Sequence, residues 1–148
     1  MEVELIGNKQ AAEEILQLTK LWDQALENRD LKGLTNGYSS EISSFDIGTQ
    51  LVGLEKYKNL WESCLPYFGN APKAYRRHFK IYASESLAFI HCFSKICGSN
   101  MPSPEAYPWC RTTLCFHKAG EGWQVVHEHI SMPINFEEGK PALIIGEP

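Results

Sequence analysis

The chain has 148 residues, 43% of them apolar, and 14 basic against 18 acidic side chains leave a formal net charge of -4. That length suits one domain, able to remove about 70% of its unfolded surface from water. The acidic balance and the lack of any dense basic run argue against a nucleic-acid partner, which would be held largely by phosphate neutralisation. The longest apolar-rich stretch, Ser86 to Phe93, is far short of the roughly 20 residues that span a bilayer, so no membrane partner is expected. Met1-Glu2-Val3-Glu4 lacks the basic-then-apolar order of a signal peptide. Five cysteines, an odd number with no Cys-x-x-Cys, read as reduced thiols. A soluble, cytoplasmic protein is the expectation.

Residues 8 to 29 carry the clearest helical pattern. Ala11, Ile15, Leu18, Trp22, Ala25 and Leu26 recur at three- and four-residue steps, with Asn8 as N-cap. Asp30 caps a short second helix through Leu31 to Leu34, which Asn36-Gly37 closes. Ser40 to Ile47 alternates as a strand. A third helix follows Gly53, with Leu54, Tyr57, Leu60, Trp61, Cys64 and Leu65 on its apolar face, and Leu65-Pro66 is read as its end.

After the loop at Gly69-Asn70 and Pro72 come two strands, Tyr75 to Ala83 and Leu87 to Cys97. The second is apolar on both faces, as in the interior of a covered sheet. Residues 98 to 108 hold three prolines and cannot form a regular element. From Trp109 to Pro133 the chain reads as a long hairpin turning at residues 118 to 122, where two glycines permit positive φ. Trp109, Arg111, Thr113, Cys115 and His117 alternate before the turn; Trp123, Val125, His127, His129 and Ser131 alternate after it. If Phe116 pairs near Gln124, Arg111 falls opposite His129 and Thr113 opposite His127. Helices mainly in 8–65, a sheet mainly in 75–134 and an irregular tail 135–148 make one α+β domain.

Two motifs carry a resemblance. One is FDIGTQLVGLEKYKNLW, from Phe45 through the third helix; the other joins Arg111-Thr112-Thr113 to Gly122-Trp123 and the run VVHEHISMP. The chain resembles the cone-shaped α+β fold shared by nuclear transport factor 2, ketosteroid isomerase and the SnoaL-like polyketide cyclases, and within it the SnoaL-like, ketosteroid-isomerase-homologue proteins. The resemblance implies N-terminal helices packed on a curved antiparallel sheet. It also implies a homodimer through the sheet face. An arginine-and-HxH hairpin also occurs in the association domain of calcium/calmodulin-dependent kinase II. The superfold hosts enzymes, binders and assembly modules, so the site must decide among them.

By that resemblance Asp46 lies where ketosteroid isomerases hold their proton-shuttling aspartate, while Trp22 replaces the isomerase tyrosine and no carboxylate stands near Thr113. Steroid isomerisation itself is therefore not expected. Asp46 is read either as a base raised in an apolar cavity or as a structural aspartate bonded to amides or Arg111. His127 and His129 share a face and are read as proton-transfer groups, as a network with Arg111, or as two metal ligands. The third ligand is hard to nominate, since Glu128 points the other way and only His91 and Asp46 remain; no metal and no cofactor are expected. Arg111 awaits an anion or pairs with Asp46 or Glu55. With Arg111, the set Thr113, Trp22, Tyr38, Trp61, Trp109, His91 and Ser131 is the expected lining of a pocket for a small anionic or enolisable molecule, acted on without a cofactor by an isomerase, cyclase or hydratase. A non-catalytic association or carrier module is the other reading. The face carrying Thr112, Leu114, Phe116, Val126 and Ile130 is read as the outer, dimer-forming one.

Overall fold

A computed structural model of the protein describes residues 2–101, 103–120 and 122–148. The chain opens with strand β1 (Val3–Gly7), then helices α1 (Lys9–Glu27) and α2 (Leu31–Thr35), strands β2 (Tyr38–Phe45) and β3 (Gln50–Val52), and helix α3 (Leu54–Phe68). Four long strands follow: β4 (Lys73–Ala83), β5 (Leu87–Cys97), β6 (Cys110–Ala119) and β7 (Gly122–Ser131). The tail adds two short paired strands, β8 (Ile134–Asn135) and β9 (Lys140–Pro141).

The caps act where their chemistry places them. The Asn8 side chain accepts from the Ala11 amide at 3.0 Å, and Asp30 from Gly33 at 3.1 Å, each satisfying a first-turn N–H that has no carbonyl partner. Pro66 does not stop α3. It sits in the last turn, where its missing N–H removes a single bond and the helix runs on to Phe68.

The sheet has seven strands in the order β1-β4-β5-β6-β7-β2-β3. Its four central strands are antiparallel, but β1 lies parallel to β4 and β2 parallel to β7, so the sheet is mixed and not purely antiparallel. The edge strands β1 and β3 are short, and neither has the length that makes alternation visible in sequence. The helices cover one face. Ile15, Leu16 and Tyr57 meet Ile42, Phe79, Ile81, Ile90 and Phe116 there in one buried cluster. A second cluster joins Leu26, Leu34 and Leu65. Among the described residues no helix is long and apolar enough to cross a membrane.

The β6–β7 hairpin differs from the expected register in a way that matters. Arg111 pairs with Ser131, Thr113 with His129 and Cys115 with His127, but the next pair is Phe116 with Val125. One residue, Val126, is left over, which makes a β-bulge. A bulge reverses the sense of alternation beyond it. Trp123 and Val125 therefore turn inward to be buried, while His127, His129 and Ser131 keep to the outer face. The two sets after the turn do not form one stripe.

The sheet meets α3 closely at one point. A Cβ added to Gly98, just beyond β5, would overlap the carbonyl oxygen of Phe68 at the end of α3, whereas Gly48 has open space around it. Gly98→Ala should lower stability by about 2–4 kcal/mol, and Gly48→Ala should change it by less than about 0.5 kcal/mol. Urea unfolding of both variants checks this; equal midpoints would show that the α3–β5 approach tolerates a methyl group.

Candidate functional site

Between the helices and the sheet lies a cavity with two adjoining lobes. The first, of about 200 Å³, runs along α1 and the middle of the sheet between Trp22, Tyr38, Arg76, Ile90, Leu114 and Phe116. The second, of about 290 Å³, opens between α3 and the ends of β2, β6 and β7, beside Asp46, Tyr57, Cys64, Phe68, Cys110 and Met132. Trp61, Ser94, Lys95, Ile96, Glu128 and Ile130 line both.

Glu128 is the group that this geometry singles out. It is 7% exposed, and its two carboxyl oxygens accept hydrogen bonds from Tyr57 Oη and Ser44 Oγ, each at 3.1 Å. Ser44 stands beside it because β2 and β7 pair in parallel with Ser44 opposite Glu128. Burial pushes the Glu128 carboxyl up to about 7, against the two hydrogen bonds, which favour the ionised form; the negative charge of Asp46 raises it further. Tyr38 stacks on Tyr57, ring centres 4.8 Å apart, and burial raises both phenols, with Glu128 adding to each. Both phenols stay protonated as donors at neutral pH.

The expected site residues divide between the two faces of the sheet. Trp22, Tyr38 and Trp61 line the first lobe, and Asp46 lines the second, half-buried, with Oδ1 accepting from the Ile47 amide at 2.9 Å. Arg111, Thr113, His127, His129, Ser131 and His91 lie on the opposite face, away from the cavity. Arg111 is exposed and donates through Nε to Ser131 Oγ at 3.1 Å; it pairs with neither Asp46 nor Glu55. His127 Nδ1 shares a 2.6 Å hydrogen bond with Ser43 Oγ, and Phe45 packs edge-on against both His127 and His129. His91 is exposed beside Tyr82 and Phe89. Trp109 is buried under the tail, its Nε1 donating to the Gly146 carbonyl at 2.6 Å. The expected convergence of Asp46, Arg111 and His129 does not occur.

The inward face of the hairpin is thus the even-numbered set Cys110, Thr112, Leu114, Phe116, Glu128, Ile130 and Met132, joined past the bulge by Val125. Thr112, Leu114, Phe116 and Ile130, read from sequence as the outer face, are cavity wall. The signal for Glu128 was present. It alternates with Ile130 and Met132, a carboxylate in an otherwise apolar row, while the histidines flanking it drew attention to the other face.

Two thiols share the second lobe. Burial raises Cys64 and pushes Cys110 to about 11, with Asp46 adding to each, so neither is a thiolate nucleophile at neutral pH. Among the described residues no group of three or more His, Cys, Asp or Glu is placed to hold a metal ion.

Helices packed on one face of a mixed sheet, with an apolar cavity between the layers, place the chain in the class of NTF2-like folds. The structure of an NTF2-like protein of unknown function from Pseudomonas putida KT2440 matches with a TM-score of 0.81 at 26% identity, over 93% of this chain and 96% of that one. An NTF2-like protein with a cystatin-like fold from Novosphingobium aromaticivorans matches at 0.67 and 16% identity, over 82% and 81%. A protein of unknown function with a cystatin-like fold from Nostoc punctiforme PCC 73102 matches at 0.68 and 14%, over 86% and 93%. No curated protein matches the chain. The family model of the SnoaL-like domain matches residues 15–135. The chain belongs to the SnoaL-like domain family.

The raised Glu128 carboxyl has a consequence for stability. A carboxyl whose folded value lies above its unfolded one holds its proton more tightly in the native state. Its stabilising contribution is complete below about pH 4.5 and is lost as pH rises through 7. Wild type should lose roughly 3 kcal/mol relative to Glu128→Gln over that window. Urea unfolding from pH 4 to pH 8 reads the difference; parallel stability curves for the two proteins would mean that Glu128 titrates normally.

Proposed function

We propose that the protein binds a small, largely apolar, enolisable molecule in the two-lobed cavity and moves a proton on it through Glu128, as a cofactor-independent isomerase, cyclase or hydratase. The observation that carries this reading is a buried carboxyl, held by Tyr57 and Ser44 where the two lobes meet and raised to about 7. A base of that strength is partly ionised at neutral pH and returns its proton readily. The step is a simple exchange. The Glu128 carboxylate takes a proton from the carbon next to a carbonyl, the C–H electron pair moves into the enolate, and the carboxylic acid gives the proton back at the same or a different carbon. Asp46, in the second lobe, keeps the place that the family resemblance assigns to a base, and its charge helps hold the proton on Glu128.

The open cavity favours this reading over a pure association module, whose core would be filled by its own side chains. Arg111, the cation on which an anionic ligand would depend, stands exposed on the other face, so the ligand is a neutral one. Incubating the protein with a panel of small cyclic ketones in D₂O tests the chemistry. Wild type should incorporate deuterium beside the carbonyl, and Glu128→Gln should slow that exchange by about 100-fold or more. A bound ketone that exchanges no faster than in buffer would reduce the protein to a carrier.

Assembly is the second part of the proposal. The outer face exposes Phe45, Leu87 and Phe89 at 49, 60 and 42%, beside the ring stacks of Tyr82, His91 and the His127–His129 pair. A second copy covers this face, which replaces the inward row of Thr112, Leu114, Phe116 and Ile130 as the contact surface. Light scattering should give twice the chain mass of 16.8 kDa, and Phe89→Asp should give the single-chain mass. A wild-type monomer at micromolar concentration would remove this part of the proposal.

A further inference from the structure

The first lobe has two cations in its wall, and both are already held. The Lys95 ammonium is drawn to the carbonyls of Pro104 and Tyr107 and lies 4.2 Å from the centre of the Trp109 ring, a buried outer-face residue. Arg76 is the other, and its side chain is only 10% exposed. Its two terminal nitrogens donate to the two carboxylate oxygens of Asp23 on α1, at 2.8 and 2.9 Å. The rings of Trp22 and Phe79 lie 5.8 and 5.6 Å from the guanidinium carbon. A planar cation covered by rings and forked onto one carboxylate is an electrically closed unit.

The lobe also contains an acid. Glu128 lines it, and the groups that bond to Glu128 or act on it are Tyr57 from α3, Tyr38 and Ser44 from β2, and Asp46 beyond the end of β2. None of these is a cation. A carboxylate ligand would therefore lie near a carboxyl and would have to share a guanidinium whose charge Asp23 already neutralises. Asp23 differs from its partner in one respect: its side chain is 31% exposed, so water reaches its charge. Neutralising Asp23 leaves no buried anion behind, but it leaves the Arg76 charge unanswered in the cavity wall.

We infer that Asp23 sets the charge of the ligand that this cavity accepts: paired with Arg76 it restricts the site to neutral molecules, and without its charge the same Arg76 becomes a receptor for carboxylates. The inference rests on the pocket reading of the previous section and adds the residue that determines selectivity.

Two planar probes of nearly equal shape test it, 2-acetylnaphthalene and 2-naphthoate, titrated calorimetrically into the full chain at pH 7. Wild type should bind the ketone at least about tenfold more tightly than the carboxylate. Asp23→Asn keeps the size of the side chain and removes its charge; it should shift the ratio toward naphthoate by about tenfold or more, and Asp23→Asn with Arg76→Gln should abolish that shift. Wild type taking naphthoate as tightly as the ketone overturns the inference and needs no variant to do so. An unchanged ratio in a folded Asp23→Asn protein overturns it as well, as does a naphthoate gain that appears with Glu128→Gln and not with Asp23→Asn. Failure of both probes to bind wild type would remove the pocket reading itself, and the inference with it.

Discussion

One extra residue in β7 decides what this protein presents to its cavity. With Val126 bulged out of the ladder, the strand keeps Glu128 and Ile130 facing the helices while turning Trp123 and Val125 inward on the other side of the kink. A regular strand would have had to choose. Either Trp123 would lose its place against α1, where its Nε1 donates to Glu14 Oε2 at 2.6 Å, or Glu128 would leave the cavity. Lys118 reaches the same Glu14 oxygen at 3.3 Å, so the hairpin tip is tied to the first helix by a carboxylate that the Trp123 bond holds below its ordinary value. The two ends of one strand thus serve different purposes: one clamps the helix layer and the other places a carboxyl in the cavity wall.

The electrostatics of the cavity follow from how little of it is charged. Arg76 and Asp23 cancel, and Lys95 is drawn toward carbonyls on the outer side of its strand. Glu128 is left with only neutral donors, a phenol and a hydroxyl. Those two bonds alone would lower its affinity for a proton; burial outweighs them because an ion in an apolar enclosure loses more hydration than two neutral donors return. Opening the cavity to water would return Glu128 toward an ordinary carboxylate.

Much of this layout was legible in the residues. Asn8 and Asp30 marked helix starts because a short polar side chain before an apolar stripe has one main use. The apolar content of β5 marked a strand but misled about its cover: Ala88, Ile90 and Cys92 are buried, while Leu87, Phe89 and His91 on its other face are exposed. Trp22, Tyr38 and Trp61 were recognisable as aromatic surfaces facing the sheet. The bulge was not legible: valine carries no signature for it, and the displaced pairing depends on what the strand packs against. Nor were the short edge strands: β1 has its parallel partner β4 some seventy or more residues away, and β3 is only three residues long beside β2. A regular alternation with no bulge groups Trp123 and Val125 with the two histidines, whereas the bulge sends the first pair inward and leaves the histidines and Arg111 on the outer face.

The parallel pairing of β2 with β7 places Ser44 and Glu128, 84 residues apart in the chain, within hydrogen-bonding distance. Contacts of that separation are made late in folding, because a long loop must close before they return any energy. In chain order the helices and β2 precede the hairpin carrying Glu128. A chain synthesised only as far as β5 therefore has its helices and edge strands but lacks the β6 and β7 part of the cavity wall. The β2–β7 junction therefore completes two things at once, the sheet and the part of the cavity wall that holds Glu128.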